Sequence, residues 1–201
     1  MILTDIQPGS FIPVYIRDLD YRLFSKINGD WHNAFLDNFF PFIRESYFWI
    51  PFYFFLALFV LLNFRLKGLL WMLFFIALAI GSDFLSSNLI KGNFPRIRPC
   101  RDPLLQDSIR FLVNYCPQSS SFTSSHAFNH FAAAMFIFTT FKDSISKKWV
   151  FIFVWAFFIA YAQVYVGVHF PFDVFCGALI GLLPGWFTGI LFNKQVGLLP
   201  G

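Results

Sequence analysis

Three short stretches of this chain carry residue types suited to work on an anion. Lys91, Arg96, Arg98 and Arg101 fall within residues 91–101, interrupted by Pro95 and Pro99. The prolines hold the cations on a stiff extended segment, and arginine forks match phosphate geometry. The alternative is a snorkelling basic collar at a membrane surface. The second stretch, Ser119-Ser120-Ser121-Phe122-Thr123-Ser124-Ser125-His126, leads into an apolar segment. Its hydroxyls are good helix caps, and a helix N-terminus is an anion site. The first-turn His126 is placed there to protonate a leaving group. His130, one turn deeper, reads as a hydrogen-bonded structural residue. In the third stretch, Gln163 to Asp173, the Asp173 carboxylate follows His169 by four residues. It would hold one ring nitrogen and leave the other free to attack.

His126, His130, His169 and Asp173 also form two i, i+4 pairs that suit zinc. Lys91 and Arg98 beside them oppose a divalent cation and favour an anion, and HExxH is absent. The expectation is therefore a site with no metal and no cofactor. Asp83 lies inside an apolar run with Ser86, Ser87 and Asn88 close by. A hydrogen-bond network is the first reading, because an ionised aspartate there needs a partner.

Long apolar helices must position these groups. The 201 residues are 57% hydrophobic, 22% aromatic and 13% charged, with 32 phenylalanines; mean hydropathy is +0.61. A soluble domain carries about a quarter charged residues, so composition excludes a water-facing globule, and equally disorder and a small disulfide scaffold. The net charge of +4 sits in short segments between apolar runs, which points to a bilayer and not to nucleic acid. Spans are predicted over 47–64, 69–90, 124–141, 149–168 and 174–192. The chain is thus read as an all-α integral membrane protein of five transmembrane helices, with N-terminal amphipathic interfacial helices and one extramembrane catalytic loop.

The domain reading is one unit, with residues 1–46 as the amphipathic segment and 47–193 as the core, the long loop covering 91–123. Ile16, Leu19, Leu23 and Ile27, then Trp31, Phe35 and Phe39, recur at helical spacing. Two helices lying in the headgroup region fit this pattern, and so does a cap packed on the spans. Span parity brings all three stretches to one face. The opposite face carries Arg65, Lys67, Lys142, Lys147, Lys148 and Lys194, so the positive-inside rule makes it cytoplasmic. Cys100 and Cys116 share the long loop, and a bridge between them suits an oxidising exterior; two free thiols are the alternative.

Taken together, the stretches resemble the signature of the type 2 phosphatidic acid phosphatase superfamily, membrane lipid phosphatases related to vanadium haloperoxidases. Lys91 through Arg98-Pro99 matches its lysine, six residues, Arg-Pro. Thr123-Ser124-Ser125-His126 loosely matches Pro-Ser-Gly-His. Ala162-Gln163 through His169 and Asp173 keeps the spacing of Ser-Arg, five residues, histidine, three residues, aspartate. The resemblance implies His169 as nucleophile, Asp173 as its orienter, and His126 as acid and then base. It makes Lys91, Arg98, Ser124, Ser125 and Gln163 the phosphate cradle. Thr123 and Ser125 replace proline and glycine, and Gln163 replaces an arginine, for which Arg96 or Arg101 would compensate.

The implied activity is hydrolysis of a lipid phosphate or pyrophosphate through a phosphohistidine, without metal. The implied setting is the periplasmic face of a bacterial plasma membrane, with the phosphorylated lipid and the bilayer as partners. No part of the chain is set apart to recognise a large headgroup, which favours undecaprenyl pyrophosphate. The alternatives are phosphatidylglycerophosphate, phosphatidate or a lipid A phosphate, or a catalytically weak lipid-phosphate binder.

Overall fold

The computed structural model describes residues 11–143 and 145–198. Residues 1–10 of the expected N-terminal segment, and residue 144 of the turn after the third span, lie outside the described residues. Eight α-helices follow in order: α1 (Val14–Phe24), α2 (Ala34–Ile43), α3 (Ile50–Phe64), α4 (Leu66–Phe84), α5 (Lys91–Asn93), α6 (Ser125–Phe141), α7 (Ile152–Tyr165) and α8 (Pro171–Gln195). A π-helical turn, Leu85–Ile90, joins α4 to α5.

Four stretches are long and apolar enough to cross a membrane: Ser46–Phe64, Leu66–Asn93, Lys147–Tyr165 and Pro171–Gln195. The remaining expected span is the 17-residue α6, at the lower end of spanning length. It is the central helix, packed by α4, α7 and α8. Its interior position explains a composition richer in Ala, Thr and His than that of its lipid-facing neighbours. Trp71 of α4 lies flat on Phe141, ring centroids 5.3 Å apart, and its indole N–H donates to Thr140 Oγ1 at 2.8 Å. A buried indole donor is thereby satisfied where no water competes.

The closest packing is between α6 and α8. Gly177, Gly181, Gly185 and Gly189 recur every four residues along one face of α8, all buried. A Cβ on Gly181 would sit 2.3 Å from the Phe128 carbonyl oxygen, and one on Gly185 2.2 Å from that of Ala132. Small residues at i, i+4 let two helix backbones approach where apolar solvent gives no hydrophobic drive. This contact sets the N-termini of α6 and α8 side by side, and the Ser124 N–H donates to the Asp173 carbonyl at 3.2 Å.

The N-terminal segment combines the two arrangements left open by the sequence. Its apolar residues Tyr15, Leu19, Leu23, Phe35 and Phe39 are exposed, whereas Arg17, Asp20, Phe24 and Asn28 are buried. Asn28 donates to the carbonyls of Arg110 at 2.8 Å and Tyr165 at 2.7 Å and accepts from the Arg110 N–H at 2.9 Å. The segment therefore turns a greasy side outward and caps the helix ends with its polar side. Cys100 and Cys116 are bridged, Cα atoms 6.1 Å apart, pinning the long loop.

Gly181→Ala should lower stability by about 1–3 kcal/mol, the usual cost of overpacking, and reduce activity by moving both helix N-termini. Gly81→Ala, where the added methyl meets nothing within 4 Å, should leave both unchanged. Thermal unfolding in detergent alongside turnover measures the pair.

Candidate active site

His169 closes the turn after α7, and its ring is nearly fully buried. Arg98 Nη1 lies 3.0 Å from Nε2. A guanidinium only donates, so Nε2 must present its lone pair and Nδ1 must carry the proton. Nδ1 faces Ser121 Oγ at 3.4 Å and Asp173 Oδ2 at 3.7 Å. Asp173 sits in the first turn of α8, where Oδ2 accepts from the Phe170 N–H at 3.0 Å and from Ser121 Oγ at 2.5 Å. The cap that starts the helix is thus the same carboxylate that backs the imidazole. Burial, with Arg98 and Lys91 adding to it against the pull of Asp173, depresses the His169 pKa to about 3. The ring is neutral and nucleophilic through the physiological range.

Arg98 is fixed by the loop around it. Nε donates to the Ser119 carbonyl at 2.9 Å, Nη1 to that of Val168 at 3.1 Å, and Nη2 to Ser119 Oγ and the Ser120 carbonyl. Arg96 has a different task. Its guanidinium lies between Asp173 Oδ1 and Asp20 Oδ2, at 2.5 Å from each. Asp20 Oδ1 also accepts from the Phe172 N–H at 2.8 Å. Burial pushes the Asp20 carboxyl up, against the lowering effect of Arg96.

The other predicted residues gather around this centre. Ser124 is fully buried and its hydroxyl accepts from the Ala127 N–H at 3.4 Å, as a helix cap. Ser125 Oγ lies 3.3 Å from Ser87 Oγ, whose hydroxyl in turn reaches Asp83 at 3.4 Å. The network expected at Asp83 is therefore present, and Asn129 joins it at 3.2 Å. His126 stands one turn above His130 on α6, rings nearly parallel with centroids 6.4 Å apart. Lys91 is half-buried, and its charge acts together with Arg98 and Asp173. Gln163 is fully buried with neither amide atom hydrogen-bonded among the described residues.

Neither cation expected to compensate for Gln163 is free for an anion. Arg96 is held by two carboxylates, and exposed Arg101 donates to the Gln118 carbonyl at 3.3 Å. The sequence reading missed a third candidate. Arg44, at the C-terminus of α2, is 5% exposed, with its Nε unpartnered among the described residues and Nη1 2.9 Å from Glu45. Its charge acts on both Arg98 and His126. Burial chiefly, with Arg44 and Arg101 contributing, lowers the Arg98 pKa to about 10. Asp20 and Arg44 were missed because each lies in a run whose composition suggests only a surface helix, and Ser121 was read only as a capping hydroxyl.

The spanning helices and the buried histidine–carboxylate–guanidinium cluster at their ends define a multi-pass membrane protein with a site suited to phosphoryl groups. The PAP2 superfamily model matches residues 68–196. The chain belongs to that superfamily, and it is a membrane lipid phosphatase. It is 30% identical over 184 residues to a lipid A 4'-phosphatase of Bacteroides thetaiotaomicron, covering 90% of this chain and 80% of that protein. A protein of the same description from Porphyromonas gingivalis is 30% identical over 177 residues, covering 87% and 73%. Among solved structures, Aquifex aeolicus LpxE superposes with a TM-score of 0.60 at 28% identity, over 97% of this chain and 100% of that one. A PAP2-type phosphatidylglycerolphosphate phosphatase from Bacillus subtilis gives 0.64 at 23% identity, over 92% and 90%, a likeness of fold.

A pKa held near 3 against an ordinary 6.5 makes His169 a source of pH-dependent stability. That contribution is complete above 6.5 and is lost as pH falls toward 3. Between pH 7 and pH 4 the loss should be about 3 kcal/mol. His169→Asn should remove that share of the acid sensitivity, read as the difference between the two proteins' unfolding free energies across the range.

Proposed function

We propose that this protein removes a phosphate monoester from a lipid A-type lipid at the periplasmic face of a bacterial inner membrane, through a phosphohistidine. The observation that carries the mechanism is the Arg98–Nε2 contact of 3.0 Å, which leaves Nε2 with an exposed lone pair once a phosphate takes over the guanidinium. His169 Nε2 then attacks phosphorus while the bond to the lipid oxygen breaks, and His126, which takes up a proton beside the bound phosphate dianion, gives it to that oxygen. Asp173 and Ser121 stabilise the charge on the Nδ1 side. Water next attacks phosphorus, His126 takes its proton, and inorganic phosphate leaves as Nε2 is restored.

Lys91, Arg98 and the first-turn N–H groups of α6 at Ser125 and His126 neutralise the phosphate oxygens. Ser124 acts by holding that turn in shape, and Gln163 offers an amide with no other partner among the described residues. The relatives named as lipid A 4'-phosphatases favour a lipid A phosphate over the undecaprenyl pyrophosphate to which the sequence alone inclined. The basic residues of the opposite face favour a periplasmic site.

Phosphate release should be tested on monophosphorylated lipid A, undecaprenyl pyrophosphate, phosphatidylglycerophosphate and phosphatidate, with chelator present. Fastest release from the lipid A phosphate is expected, falling about a thousandfold or more in His169→Ala. Acid-labile label on His169 from a phosphorus-labelled substrate completes the assignment. Turnover that survives His169→Ala rejects the nucleophile, and preference for the pyrophosphate rejects the substrate.

In the same reading Arg44 supplies the cation that Gln163 lacks. Arg44→Ala should cut kcat/KM about ten- to a hundredfold, the usual value of a charged contact to a phosphoryl oxygen. Gln163→Arg in that background should recover part of the loss. Activity of Arg44→Ala within twofold of the parent rules the role out.

A further inference from the structure

Below His126, between α3, α4 and α6, lies a cavity of about 340 Å³ lined by Tyr53, Phe75, Ile76, Leu78, Asn129 and His130, among others. A second, of about 210 Å³, shares Tyr53, Phe75 and Ile76 and continues past Leu56 and Met72. The walls belong to spanning helices and are almost wholly apolar, so the two form a track running from the catalytic end into the hydrocarbon layer. Each is large enough to accept part of a ligand and too apolar to hold ordered water along its length.

The upper end of this track is different. His130 is 7% exposed, and its Nδ1 lies 2.8 Å from the His126 carbonyl oxygen. That nitrogen must therefore carry the proton, leaving Nε2 as a bare acceptor. Nε2 has no partner among the described residues, and neither has the buried Oδ1 of Asn129. The Asn129 amide is oriented by its Nδ2–H, which donates to Asp83 at 3.2 Å, so Oδ1 too is an acceptor. Trp155 closes the other side of the His130 ring at 5.1 Å between centroids. Two buried acceptors on one cavity wall call for a donor, since an unsatisfied buried polar atom is costly.

We infer that this track holds an acyl chain of the lipid substrate, and that His130 and Asn129 select a chain bearing a hydrogen-bond donor near its head, a β-hydroxyl. The inference rests on the lipid phosphatase reading given above and narrows its substrate. Ester-linked plain chains and polyprenyl chains carry no such donor. Position supports the assignment: His130 is one helical turn below His126, so a chain seated there hangs directly beneath the phosphate that His126 serves.

The test compares two synthetic glucosamine lipid phosphates that differ only in having β-hydroxyacyl or plain acyl chains, with the full-length protein in detergent micelles. A short water-soluble phosphate ester, unable to reach the track, serves as the third substrate. The parent protein should favour the hydroxylated lipid about tenfold in kcat/KM. His130→Phe and Asn129→Leu should each bring that ratio close to one, while turnover of the plain lipid and the soluble ester stays within about threefold. His130→Gln, which keeps an amide oxygen, should retain part of the preference. Equal treatment of both lipids by the parent overturns the inference and leaves the phosphatase reading standing. A preference that survives His130→Phe and Asn129→Leu overturns it as well. Hydrolysis of the soluble ester with neither lipid cleaved rejects the lipid A reading itself, and the inference with it. The parent ratio and Asn129→Leu decide the matter even if His130→Phe does not fold.

Discussion

The arrangement of this molecule depends on one buried guanidinium. Arg96 lies between Asp20 of α1 and Asp173 of α8, 2.5 Å from each, with its planar group 4.2 Å from the Phe170 ring centroid. Two carboxylates taken out of water at close range repel each other and would not both stay ionised. The cation between them makes the arrangement tolerable, and in doing so it joins three parts of the chain distant in sequence. Such a cluster contributes little net stability compared with an apolar core of the same shape. Its effect is geometric: any departure of α1, the long loop or α8 from this register leaves a charge buried and alone. The carboxylate behind His169 is thereby placed by a residue that never touches the imidazole.

Below that ion cluster the constraint changes character. The glycine face of α8 against α6 lets the backbones approach until carbonyls meet Cα hydrogens, with Gly181 over Phe128 and Gly185 over Ala132. A contact of that kind has no slack, because nothing at the interface is long enough to rearrange. It fixes the separation of two helix N-termini, one bearing Ser124 to His126 and the other Asp173. Polar bonds set orientation at the membrane surface, and backbone packing sets distance within the bilayer. The site lies at the junction of the two.

Much of the candidate site was legible in the chain because its residues come in local groups. Lys91 to Arg98, Ser124 to His126, and His169 to Asp173 each have fixed spacing, and span parity was enough to bring them to one face. The apolar runs were legible for the same reason, except that α6, interior and rich in small residues, is shorter than a lipid-facing span needs to be. What stayed hidden depends on which solvent a helix meets. In water the apolar stripe Leu19, Leu23, Phe35 and Phe39 would mark the buried side. Here that stripe is exposed on the apolar rim, and the buried residues are Arg17, Asp20, Phe24 and Asn28. A polar residue on such a helix is as often a structural anchor as a surface group, and sequence periodicity does not distinguish them. The same inversion hid Arg44, which ends an apolar helix and resembles an ordinary basic flank. The four-residue glycine period of α8 was visible in the sequence and needed only a partner helix to give it meaning.

The exchange of an arginine for Gln163 follows from this electrostatic layout. Around the site Lys91, Arg98 and Arg44 already carry positive charge, with Arg44 acting on Arg98, while Arg96 is neutralised by its two carboxylates and Glu45 only partly screens Arg44. A fourth free cation at position 163, fully buried on α7, would meet three like charges with little solvent between them, and its desolvation cost would add to their repulsion. On the proposed reading the phosphate brings about two negative charges, which three cations and two helix-end N–H groups offset. A neutral amide at 163 then adds a hydrogen bond without overcharging the empty site. Arg44 and Gln163 are in this sense a single solution: the positive charge has moved from the wall of the bundle to its rim. There the guanidinium keeps Glu45 as its partner when no phosphate is bound, and on the proposed reading it meets the anion as the lipid headgroup arrives.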